Sequence, residues 1–186
     1  MVEQLIEWDK SVFLFLNGLG SEKWDGLWLV ITNKFASIPL YVFLLYLSIK
    51  VYGLKKTVYI LLSVALMITI TDQLANIFKY GFERLRPCHD PSLQEHMRIV
   101  ICGGKFGYFS AHAASSFALM TFFSLLLSKK YPLISLLLLI WAVSVSYSRI
   151  YLGVHFPLDV ITGMSLGMLI GWGVNVLFSL LILRRP

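Results

Sequence analysis

Five stretches of this chain, at about residues 35–52, 56–80, 111–128, 132–150 and 156–182, are dominated by apolar side chains. Each is close to the ~20 residues that a helix needs to cross the hydrocarbon core of a bilayer. In lipid, every backbone polar group must be satisfied within the segment or by a paired one, so each stretch is expected to be helical. The bulk composition agrees: 58% of the 186 residues are hydrophobic and 14% charged, with a mean hydropathy of +0.75. A soluble domain of this length does not carry that much apolar surface. The expectation is an all-α, polytopic membrane bundle. Residues 1–186 form one integral membrane domain, without linker, repeat or low-complexity tract.

Ahead of the bundle (35–182), residues 1–33 read as interfacial helices. Residues 3–18 set Leu5, Ile6, Val12, Phe13, Phe15 and Leu16 among Glu3, Glu7, Asp9 and Lys10, an amphipathic pattern too short and too charged to span. Asn17-Gly18 and Gly20 end it, and Trp24 to Asn33 is again helical in pattern. The break at Asn33-Lys34 is either the start of the first span or a kink in a longer helix. The N-terminus lacks the basic n-region and cleavage site of a signal peptide. Five spans put Lys50, Lys55 and Lys56, then Lys129 and Lys130, then Arg184 and Arg185 on one side, which the positive-inside rule makes cytoplasmic. The loop 81–110 and the connection around His155 then face outward. A net charge of +6 spread in this way fits membrane topology and an anionic ligand, not a nucleic-acid face.

Polar residues occur where lipid would exclude them. Asp72, Asn76, Lys79, Glu83 and Arg86 follow helical spacing and are expected on one stripe, partly neutralising one another, with Lys79 and Arg86 reaching a single anion before Pro87 stops the helix. Ser110 is a good N-cap for the third span, whose small residues and free amides make an anion cradle around Ala111, with His112 in the first turn. Arg149 and His155 follow the fourth span. Asp159, four residues after His155, is expected on the same helical face, accepting one ring proton and leaving the other nitrogen free to attack. Pro157 suits the first turn of the last helix. Three cations, a helix N-terminus and two imidazoles on one membrane face match the needs of phosphoryl transfer. No metal site is expected: the histidines lack a third partner at ligand spacing, and the cations would repel an ion. A charge-coupled transporter or anion-binding protein is the non-enzymatic alternative.

These residues resemble the type 2 phosphatidic acid phosphatase superfamily, which includes the vanadium haloperoxidases. Its signature is K-x6-R-P, then P-S-G-H, then S-R-x5-H-x3-D. The first part matches at Lys79, Arg86 and Pro87, and the third at Ser148, Arg149, His155 and Asp159. In the second part Phe109 and Ala111 replace the proline and glycine, while Ser110 and His112 remain. The resemblance implies a helical core and metal-independent hydrolysis of a lipid phosphate or diphosphate through a phosphohistidine. It implies that His155 is the nucleophile, Asp159 its orienting partner and His112 the general acid. Lys79, Arg86, Ser110, the amide of Ala111 and Arg149 would bind phosphate, with no cofactor. Five crossings are one fewer than membrane members often have.

The chemistry common to these lipids leaves the substrate open. A polyprenyl diphosphate such as undecaprenyl diphosphate is the first expectation, with phosphatidylglycerol phosphate, phosphatidic acid and lipid A phosphate as alternatives. The location expected is a bacterial inner membrane with the site on the periplasmic face. There Cys88 and Cys102 are a candidate disulfide, two free thiols being the alternative. Gly163, Gly167 and Gly171 make a smooth ridge, for packing inside the bundle or for a dimer seam.

Overall fold

The computed structural model describes residues 1–183. Arg184 and Arg185 lie outside the described residues. Six α-helices account for most of the chain: α1 (Val2–Gly18), α2 (Glu22–Thr32), α3 (Ile38–Phe82), α4 (Ala111–Leu127), α5 (Ile134–Tyr151) and α6 (Pro157–Phe178), with a π-helical turn at Ser179–Leu183. A 3-10 turn, Lys34–Ser37, leads into α3 after Asn33 leaves helical geometry. The break near Asn33 is therefore a start, not a kink.

The length of α3 is deceptive. Gly53 lies inside it at φ 72° and ψ 170°, a conformation open to glycine and closed to side chains bearing a Cβ. The two arms, 38–52 and 54–82, fold back on each other, since Leu44 and Ser48 of one line the same narrow cleft as Ile60 and Val64 of the other. At this end Tyr52 Oη donates to the carbonyl of Leu126, at 2.6 Å, so the Gly53 turn sits beside the end of α4. Among the described residues, three stretches are long and apolar enough to cross a membrane, Lys34–Phe82, Ile134–Tyr151 and Pro157–Ile182; Ala111–Leu127 is apolar but shorter.

α4 is apolar on every face because it sits in the middle of the bundle, with Phe122, Phe123, Leu126 and Leu127 buried against Leu44, Ile60, Met67, Leu138 and Phe178. The glycine ridge of α6 faces α4. A Cβ on Gly163, Gly167 or Gly171 would overlap the carbonyl oxygens of Ser110, Ala114 and Ala118 respectively. The ridge serves internal packing, bringing the two backbones into close contact. Elsewhere the outward faces are apolar, with Val42, Leu62, Ile140, Leu169 and Trp172 exposed.

α1 departs from the expectation of a helix resting on its apolar face. Its buried positions are Asp9, Phe13 and Asn17, one turn apart, while Leu5, Ile6 and Phe15 are exposed. Phe13 packs edge-on against Phe156 with ring centroids 5.4 Å apart. The Asn17 amide donates to the carbonyls of Arg98, Ile150 and Tyr151 and accepts from the Arg98 amide at 2.7 Å. One side chain thus clamps the long loop to the end of α5. Arg98 of that loop also pairs with Asp25 of α2 at 3.0 Å.

Candidate active site

At the end of the bundle opposite Gly53, a cavity of about 360 Å³ is lined by Lys79, Arg86, Ala111, His112, Arg149 and His155. Four separate stretches of chain therefore meet there. Asp72 also lines it, as do Thr32, Asn33 and Lys34 from the α2–α3 junction.

Each residue arrives by a local route. Lys79 comes from the last turns of α3. Arg86 does not extend the same helix: Glu83 caps α3 at φ 48°, in the left-handed region, so the helix stops four residues before Pro87. The expected stripe is broken there. Glu83 and Asn76 are exposed, and among the described residues no ion pair joins Asp72, Lys79, Glu83 or Arg86 to one another. Arg86 reaches the cavity from a loop. Its amide donates to the Lys105 carbonyl (3.0 Å) and its Nε to the Phe106 carbonyl (3.1 Å). Gly103 and Gly107 pass so close to its side chain that a Cβ on either would overlap it. The Cys88–Cys102 disulfide closes this loop around the arginine.

α4 begins at Ser110, whose Oγ accepts from the Ala113 amide at 3.5 Å. Ser110 is fully buried and does not line the cavity, whereas Ala111 and His112 do. The Ser110 amide donates to the Asp159 carbonyl (3.0 Å), which ties the starts of α4 and α6 together. Phe109, standing where the signature has proline, is completely buried against Phe78, ring centroids 5.2 Å apart.

Arg149 lies in the last turn of α5, 7% exposed, with one guanidinium nitrogen donating to Thr32 Oγ1. Its carbonyl accepts from the amides of both Val154 (3.1 Å) and His155 (3.2 Å). Gly153, at φ 84°, makes the turn that allows this. His155 is 2% exposed and precedes α6, which starts at Pro157. The expected shared helical face for His155 and Asp159 is therefore not how they meet. Asp159 occupies the third helical position and bends back, its Oδ2 accepting from the Phe156 amide (2.9 Å) while lying 3.5 Å from His155 Nδ1. Nδ1 makes no hydrogen bond in this arrangement. Burial, and then the charges of Arg86, Arg149 and Lys79, hold the His155 imidazole well below its ordinary value, the carbonyl of Gly107 pulling weakly the other way. A neutral ring is what an attacking imidazole requires.

The donor set suits an anion. Among the described residues, the one group of three close metal-ligand types is Cys88, His89 and Cys102, and both of its sulfurs are consumed by the disulfide.

A model of the PAP2 superfamily matches residues 57–182. The chain is 35% identical to a lipid A 4′-phosphatase of Bacteroides thetaiotaomicron over 92% of its own length and 77% of that protein. This chain belongs to the PAP2 superfamily. It is an integral membrane phosphatase. A second PAP2 relative, a lipid A 4′-phosphatase of Porphyromonas gingivalis, is 33% identical over 91% of this chain and 72% of its own. The same PAP2 fold is seen in a transmembrane phosphatidylglycerolphosphate phosphatase from Bacillus subtilis, with a TM-score of 0.76 at 21% identity, covering 98% of this chain and 90% of that one. It recurs in Aquifex aeolicus LpxE, with a TM-score of 0.67 at 23% identity, covering 88% and 92%.

Sequence reasoning missed Thr32, Asn33 and Lys34 at the cavity, and behind it Arg84 and Asp9, Arg84 donating to both Asp159 and Asp9. The first three fall at a helix break, where no periodicity assigns a facing. Arg84 lies within the six-residue spacer of the first motif, and Asp9 looked like one more charge on a wet helix face.

Proposed function

We propose that this PAP2 enzyme removes a phosphate from the saccharide head of a lipid A-type glycolipid, through a phosphohistidine on His155. One observation carries the reading: two imidazoles and the cations Lys79, Arg86 and Arg149 line a single cavity. The substrate class draws on the relatives. Lipid A 4′-phosphatases match over more than nine-tenths of this chain, and Thr32, Asn33 and Lys34 put polar groups at the cavity that suit a sugar. Phosphatidylglycerol phosphate is the runner-up, since a phosphatidylglycerophosphatase B of Bacillus subtilis is 34% identical over 56% of this chain. Undecaprenyl diphosphate, the expectation from sequence, has no comparable support.

In the proposed reaction Nδ1 of His155 faces Asp159, so Nε2 attacks phosphorus as the bond to the sugar oxygen breaks. Lys79, Arg86 and Arg149 neutralise the phosphoryl oxygens, assisted by the amides of Ala111 and His112 at the start of α4. His112 gives its proton to the leaving oxygen, then takes one from the water that cleaves the phosphohistidine. Asp159 stabilises the imidazolium formed. The cations carry the role that a divalent ion would otherwise fill.

A second, apolar cavity of about 170 Å³ between the arms of α3 shares Tyr41, Ile68 and Leu119 with the first, which supports a lipid substrate. We further infer five crossings within one domain, the arms of α3 counting as two. Lys50, Lys55 and Lys56 flank the Gly53 turn, and Lys129 and Lys130 the α4–α5 turn, both at the end away from the cavity. The positive-inside rule then puts the site on the periplasmic face of an inner membrane.

The test is phosphate release by the purified protein in chelator from lipid A, phosphatidylglycerol phosphate, phosphatidic acid and undecaprenyl diphosphate. Lipid A should be the best substrate, and His155→Ala inactive. Release from undecaprenyl diphosphate alone would overturn the substrate class; binding of every lipid with release from none would favour an anion-binding protein.

A further inference from the structure

Asp159 is fully buried, and the group that claims it first is not His155. Arg84 donates from one terminal nitrogen to Asp159 Oδ1 at 2.6 Å and from the other to Asp9 Oδ2 at 2.5 Å. Its guanidinium lies over the Phe156 ring, 4.4 Å from the centroid. Asp9, itself 4% exposed, uses its other oxygen to accept from the Leu158 amide at 2.9 Å. The first turn of α6 is thus gripped twice, by Asp9 at Leu158 and by Asp159 at Phe156. With Oδ1 taken by Arg84, only Oδ2 of Asp159 is turned toward Nδ1 of His155.

We propose that Arg84, backed by Asp9 of α1, is the positioning residue that fixes the carboxylate of Asp159 and hence the attack direction of His155. A planar guanidinium that gives one terminal nitrogen to Asp159 and the other to Asp9 sets the spacing between the two carboxylates, which the single nitrogen of an ammonium does not reproduce. It also supplies a permanent countercharge to a buried carboxylate that would otherwise be costly to keep ionised. Arg84 does not line the substrate cavity, so its influence on the reaction runs through Asp159. The interfacial helix thereby becomes part of the catalytic end of the molecule, not only a foot on the membrane.

This inference rests on the phosphatase reading, and the experiment separates the two. Phosphate release from lipid A is measured for the unmodified chain, Arg84→Met, Arg84→Lys, Asp159→Asn, and the double variant Arg84→Met with Asp159→Asn. Lys10→Met is the control, because Lys10 pairs with Asp90 at 3.0 Å and also ties α1 to the outer loop. Arg84→Met should lower kcat by about 10–100-fold, in the range for lost supporting contacts, with KM changed by less than about twofold. Added to Asp159→Asn, the same substitution should cost less than about threefold, since residues acting as one unit are not additive. Arg84→Lys, which keeps a charge and protects folding, should still lose about 10-fold in kcat. Full activity in Arg84→Lys, an undiminished effect of Arg84→Met in the Asp159→Asn background, or an equal loss in Lys10→Met would each overturn the proposal while leaving the phosphatase reading intact. No release by the unmodified chain would overturn both.

Discussion

His155 combines near-complete burial with three neighbouring cations, and that combination has a sign. Its proton is bound more weakly than by a free imidazole, so the neutral, attacking form persists as pH falls through about 6.5. The acid limb of kcat/KM, corrected for the substrate's own ionisation, should therefore lie below that value, the Gly107 carbonyl opposing the shift without cancelling it. A limb at or above 6.5 would mean that burial and the cations do not act on this ring as the structure implies. Ser110 makes the opposite point. Its hydroxyl caps α4 instead of facing the cavity. Ser110→Ala should cost about 1 kcal/mol of stability, the usual value of an N-cap, and leave KM nearly unchanged. A large rise in KM with no loss of thermal stability would return Ser110 to the phosphate.

At the scale of elements, the apolar runs and the capping residues were readable because a bilayer demands length and hydrophobicity before anything else. α4 starts at Ala111 and α6 at Pro157, as Ser110 and Pro157 announce. What was not readable is where helical order stops for reasons of tertiary fit. Glu83 takes a left-handed conformation that its residue type does not signal, so the periodicity through Arg86 suggested a continuous stripe. The polar face of α1 is the second case: Asp9 and Asn17 look solvated until their partners, Arg84 and the end of α5, are in place. Gly167→Leu should prevent α4 and α6 from meeting, because its side chain would occupy the Ala114 carbonyl; with over-packing costing about 1–3 kcal/mol or more, little folded protein should be recovered. Normal yield and melting would show that α6 can move off α4. Replacing Cys88 and Cys102 by serine should remove about 3 kcal/mol of loop restraint and, by loosening residues 103–107 from Arg86, raise KM more than it lowers kcat. An unchanged KM would mean that Arg86 holds its place without the loop.

For the whole molecule, lipid is the first constraint. Apolar helices are forced into the bilayer, the Gly53 reversal and the glycine ridge of α6 pack them around α4, and the polar ends that remain are gathered at one rim. The three signature segments stood out in the sequence because their residue types are expensive in a membrane. The supporting parts, α1 and the α2–α3 junction, did not, because their charges are ordinary at an interface. The proposed mechanism requires that His155 form a covalent bond to phosphorus. Rapid quenching of the enzyme with phosphate-labelled lipid in the presence of a chelator, followed by peptide mapping under alkaline conditions, tests it most directly. The account predicts label on the peptide carrying His155, absent in His155→Ala; turnover with no label on that histidine, or label only when a divalent cation is supplied, would contradict it.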